Sequence, residues 1–168
     1  MTISIYELSI PVLTRGLSNL SSILDKAAAH AAAKKFDPAA LAQARLFPDM
    51  FPLTRQVQIT CDTAKGAAAR LAGIDIPKHE DTETTLDELK QRIAKTLDFV
   101  KSVKAEQMNG AESKTIELKF PSGTVSFNGL SYLMNFALPN FFFHESMTYA
   151  LLRSSGVEVG KMDFLGAE

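Results

Sequence analysis

Apolar residues recur at helical spacing through four long stretches of the chain. Leu13, Leu17, Leu20, Ile23 and Leu24 fall mostly three or four positions apart, which places them on one helical face and predicts a first helix over residues 3–34. The Ala-rich run at 27–33 extends it, because Ala has no side-chain entropy to lose in a helix. Pro11 predicts a kink or a late start in its first half. Residues 35–49, with Asp37-Pro38 and Pro48, read as a loop carrying one short helical turn at 39–44. A second helix is predicted over 51–72, with Pro52 in its first turn and Gly73 at the C′ position. The third opens on the capping box Thr85-x-x-Glu88 and carries Leu86, Leu89, Ile93, Leu97, Val100 and Val103 on one face, ending near Glu106.

The period then changes. Residues 115–120 alternate polar and apolar, Pro121-Ser-Gly123 is a turn, and 124–127 alternate again, which predicts a β-hairpin. An isolated hairpin is marginal in water, so it must pack against helices. A fourth helix is predicted over 129–155, stopped by Gly156. Pro139 inside it frees the carbonyl of Asn135, so a kink is expected there. The tail at 157–168 offers Met162, Phe164 and Leu165 as anchors. Four helices with one apolar face each imply a mainly all-α four-helix bundle, with the small hairpin between helices 3 and 4. The dozen residues joining helices 2 and 3 permit a crossover along the bundle.

Composition narrows the function classes. The 168 residues carry 18 Lys+Arg against 19 Asp+Glu, a formal net charge of −1, so binding to nucleic acid or anionic membrane by bulk electrostatics is not expected. One cysteine forms neither an internal disulfide nor a Cys-based zinc site. No apolar run reaches the roughly 18 residues of a membrane span, and the acidic Glu7 stands where a signal peptide would be basic. The expectation is a single cytoplasmic domain over 1–168. The 11 Phe are concentrated, with Phe141, Phe142 and Phe143 consecutive before His144. Three successive helical residues turn through about 200°, so these rings cannot share one core line; at least one faces the hairpin, a partner or a pocket.

Candidate chemistry centres on His144. His30 lies at a helix end, where a cation complements the dipole, and His79 lies in an acidic linker. Cys61 reads as a small buried hydrophobe in mid-helix. Asn140 and His144, one turn apart, point the same way. Helix 2 offers Arg55, Gln56, Gln58 and Asp62, and the last two, one turn apart, face either solvent or a polar interior. Two readings of His144 follow. It is a core histidine satisfied by polar neighbours, with Asn140 bonding the carbonyl freed by Pro139; or it belongs to a Phe-lined pocket for a small ligand or a metal. Histidine with amides is a weak set for a divalent transition metal, which Asp62 would improve.

Several stretches together resemble a known family. They are the segment Phe47-Pro-Asp-Met-Phe-Pro-Leu-Thr-Arg-Gln-Val-Gln58, then Cys61-Asp-Thr-Ala-Lys-Gly66, then Phe136-Ala-Leu-Pro-Asn-Phe-Phe-Phe-His144, and the ending 157–166. They resemble the domain of unknown function 1993 family, a branch of the DinB/YfiT-like metalloenzyme superfamily. The resemblance implies an up-down-down-up bundle, a homodimer, and relatives that are metal-dependent thiol transferases and hydrolases. It also implies a metal site of one His on helix 2 and a His-x-x-x-His pair on helix 4. His144 matches the second His of that pair, Asn140 the first, and Gln58 the helix 2 ligand. Two functions are therefore expected as competitors. One is a non-catalytic or small-ligand-binding bundle built on His144, Asn140, Gln58 and Asp62. The other is a diverged metal-dependent enzyme that keeps His144 as a ligand for a divalent ion such as Zn or Ni.

Overall fold

The computed structural model describes residues 3–166. Capping fixes where the long helices start. Helix α1 (Ile5–Lys34) begins at Ser4, whose hydroxyl accepts from the Glu7 N–H while Glu7 reaches back to the Ser4 N–H. Thr85 and Glu88 make the same reciprocal pair at the start of α4 (Leu86–Ser102). Each pair satisfies two N–H groups that the first helical turn leaves without partners. The short α2 (Ala39–Ala42) leads into α3 (Leu53–Ala72), where Pro52 is the cap rather than a first-turn residue and Gly73 ends the helix at φ 72°. Helix α1 continues unbroken past Pro11. Helix α4 stops before the expected Glu106, and residues Ala105–Met108 tighten into a 3-10 turn.

The hairpin strands are β1 (Thr115–Phe120) and β2 (Gly123–Asn128), antiparallel with Phe120 paired to Gly123. Ile116 and Leu118 are buried against the helices, which supplies the packing that a two-stranded hairpin needs. The last long helix comprises α5 (Gly129–Tyr132), a π-helical turn (Leu133–Ala137) and α6 (Leu138–Ser154). The wide turn lies just before Pro139, where the ring would otherwise meet the preceding carbonyl, so the strain expected as a kink is absorbed as a π-bulge. A second device fixes its start: a Cβ on Gly129 would lie 1.8 Å from the Ala111 carbonyl oxygen. The tail ends in α7 (Lys161–Leu165). Its anchors are the buried Val157 and Val159, whereas Met162 and Leu165 are exposed; the last two residues of the predicted tail lie outside the described part.

Helix directions follow from contacts between side chains. Ser9 meets Met108 and Asp25 meets Lys90, so α1 and α4 are antiparallel. Gln58 bonds Glu83 and Asp62 bonds Arg92, so the 73–85 connection returns to the start of α3 and α4 runs parallel to it. Asn140 meets Thr63 while His144 meets Gln56, so α6 is antiparallel to α3. The order is up-down-down-up. Helices α1 and α3 each pack against both α4 and α6, around a core that includes Leu13, Leu17, Leu20, Leu53, Leu89, Ile93 and Phe141.

Candidate functional site: a polar seam and a pocket under the hairpin

The α3–α6 seam holds His144, buried, with Nδ1 2.7 Å from the Gln56 Oε1. The Gln56 amide is oriented from its other end, because Nε2 donates to the Phe51 carbonyl at 3.2 Å. Its oxygen therefore faces the imidazole, Nδ1 carries the proton, and Nε2 keeps a lone pair. Burial, and then the charge of Arg55, hold His144 below its ordinary pKa, so the ring is neutral at physiological pH. Phe143 packs edge-on against the ring, with centroids 5.1 Å apart. One turn earlier, Asn140 Nδ2 donates to Thr63 Oγ1 at 2.8 Å. It therefore does not bond the carbonyl freed by Pro139, the partner that the sequence suggested.

Gln58 and Asp62 lie on the other side of α3. Gln58 accepts from Arg55 at 3.2 Å and donates to Glu83 at 2.9 Å. Asp62 takes Arg92 at 2.7 Å and Lys65 at 2.9 Å. The buried Arg92 guanidinium also bonds Glu83 at 3.1 Å, Asp81 at 3.0 Å and the Glu80 carbonyl at 3.1 Å. Burial opposes the charge on Glu83, but bonds from Gln58 and Arg92 outweigh it and hold that carboxyl below its ordinary value. The four residues named from the sequence are thus divided between two seams, His144 and Asn140 on one, Gln58 and Asp62 on the other. Sequence reasoning missed the partners Thr63 and Arg92 and did not single out Gln56. The spacing of Gln56 and Thr63, seven residues or about two turns, was the available signal.

Two further buried titratable groups lie next to the seam but face away from it, Glu145 towards Gly16 and Arg15 of α1 and Cys61 towards Thr96 and Arg92 of α4. Glu145 is buried, neither of its oxygens has a partner among the described residues, and burial pushes its carboxyl up to about 7 against the pull of Arg15. Cys61 is buried and its thiol is pushed up to about 12, first by that burial, so it supplies no thiolate nucleophile. No three His, Cys, Asp or Glu side chains converge as a metal-binding group among the described residues. At the position implied by the superfamily resemblance, Gln58 has both ends of its amide bonded to Arg55 and Glu83 in the other seam, and Asn140 offers His144 only a neutral amide, so the donor set does not fit a three-ligand metal site.

The consecutive Phe separate as their spacing required. Phe141 is fully buried, Phe142 half-buried and Phe143 exposed. A Phe-lined cavity does lie beside the seam, but other rings form it. It is about 210 Å³, bounded by Thr63, Asp62, Arg70, Tyr132, Phe120 and Phe136, under the hairpin. Thr63, the partner of Asn140, is common to the cavity and the seam.

An up-down-down-up bundle with a polar corner between its second and fourth long helices defines a DinB-like protein. The chain belongs to the family described as domain of unknown function (DUF1993), whose model matches residues 5–165. It is similar in structure to a DinB family member protein from Shewanella denitrificans, at 43% identity and a TM-score of 0.90, over 97% of this chain and 92% of that one. Among curated proteins none matches the sequence. No helix of the described residues is long and apolar enough to cross a membrane.

Proposed function

We propose that this DinB-like bundle is a cytoplasmic, non-catalytic small-ligand-binding protein that acts as one domain and does not depend on a metal. The observation that carries this reading is the distribution of donors. Gln56 holds His144, Thr63 holds Asn140, and Gln58 and Asp62 are committed to the α3–α4 connection. A divalent transition metal offered one imidazole and neutral amides binds weakly.

Metal analysis of untagged protein, with melting curves in added zinc or nickel, tests the proposal. The expected outcome is less than one metal per chain and an unchanged Tm, since a ligand that binds only the folded state must raise it. Stoichiometric metal that is lost in His144→Ala overturns it. The second reading, a diverged hydrolase or thiol transferase keeping His144 as a zinc or nickel ligand, is favoured by one specific feature, the unprotonated Nε2. We extend the proposal to a homodimer, for which the exposed Phe47, Phe51 and Phe143 supply apolar surface. Light scattering on the same samples checks it, and a monomer at all concentrations contradicts it.

A further inference from the structure

We propose that the cavity under the hairpin binds a small organic monocarboxylate with a flat apolar body. The inference rests on the small-ligand reading above and names the chemistry of the ligand. Its first support is an unpaired cation held in place. Arg70 lines the cavity, donates to the Tyr132 hydroxyl at 3.1 Å and lies 5.9 Å over that ring. No carboxylate pairs with it among the described residues. Its position depends on a glycine in mid-helix, because a Cβ on Gly66 would lie 2.5 Å from Arg70 Nη1, and the three atoms nearest to it all belong to that guanidinium. A planar guanidinium with free N–H groups matches a carboxylate fork.

The remaining walls set the rest of the ligand. Phe120 and Phe136 meet edge to face, with centroids 6.0 Å apart, and present ring surface to an apolar body. The π turn before Pro139 is the segment that carries Phe136 there. The Thr63 hydroxyl accepts from Asn140, which leaves its own hydrogen for a ligand acceptor. Arg70 is the one guanidinium in the wall, so it fixes the place of a single carboxylate. Lys119 adds one cation at the rim, while Asp62 in the wall is already matched by Arg92 and Lys65. A cavity of about 210 Å³ is below the range of drug-sized sites, so a single ring is the fitting size.

The test is an NMR titration of the whole protein with benzoate, its uncharged isostere benzamide, and inorganic phosphate. Benzoate is expected to shift the amides of residues 62–70 and 118–136 saturably, with benzamide and phosphate at least about tenfold weaker, the worth of one charge-assisted hydrogen bond. Arg70→Gln is expected to weaken benzoate by a similar factor. Gly66→Ala keeps every charge, puts a better helix former at that position and presses on the far end of the flexible Arg70 side chain; it is expected to fold normally and still lose benzoate affinity about tenfold. Benzoate binding unchanged in both variants overturns the inference. Benzamide binding as well as benzoate overturns the carboxylate while leaving a small-ligand protein standing. Silence from all three probes overturns the inference alone, since the broader reading falls to stoichiometric metal instead.

Discussion

His144 and Glu145 are neighbours that both favour the neutral form, and their pH effects have opposite signs. Burial raises the Glu145 carboxyl from 4.5 to about 7, so its contribution to stability is complete below about 4.5 and is lost as pH rises through about 7. That difference corresponds to about 3 kcal/mol. His144 is held below 6.5, so its contribution is complete above 6.5 and is lost as pH falls. Glu145→Gln removes the first effect only. Urea unfolding of this variant between pH 5 and 8 is expected to show a flatter alkaline decline and a gain over the parent at pH 8; parallel profiles would count against the buried, unpaired carboxyl. The buried state of His144 was legible from three Phe before it and Asn140 one turn earlier. Its partner was not. Gln56 and Gln58 sit about 200° apart on α3, and which one meets α6 depends on how that helix is rotated in the bundle.

Whole helices were more legible than the joins between them. The Thr85–Glu88 capping box and the apolar stripe of α4 are local signals, and both are realised. The π turn at Leu133–Ala137 was not, because Pro139 alone does not decide between a kink and a bulge. Nor was the role of the 73–85 connection, whose acidic residues looked solvated until Arg92 supplied a buried cation for three of its groups. That guanidinium ties the connection to α3 and so holds two parallel helices in register. Arg92→Met takes the shared buried cation from Asp62, Asp81 and Glu83, leaving them Lys65, Arg55 and the Gln58 amide respectively. The expected loss is about 3 kcal/mol, the low end for breaking a buried pair because Asp62 and Asp81 keep access to water. It is measured as a lower urea midpoint with unchanged slope. A loss well below about 1 kcal/mol, the value of a surface pair, would contradict the structural role.

Across the whole molecule the bundle agrees with the DinB family member it resembles, and the polar corner is where its donor set differs from the one the resemblance implied. The up-down-down-up order follows from six side-chain contacts, and it brings α3 and α6 together antiparallel with a histidine between them. Sequence identified that histidine and the two helices, but the cavity under the hairpin depends on residues from α3, β1 and the π turn, which no local pattern joins. The central claim is that the corner keeps its histidine without a metal. Long-range nitrogen–proton NMR of the His144 ring tests this most directly, recorded at pH 7 before and after one equivalent of zinc. The account predicts a proton on Nδ1, an unprotonated Nε2, and no change on adding zinc. Movement of the Nε2 resonance to a metal-bound position at one equivalent would contradict it.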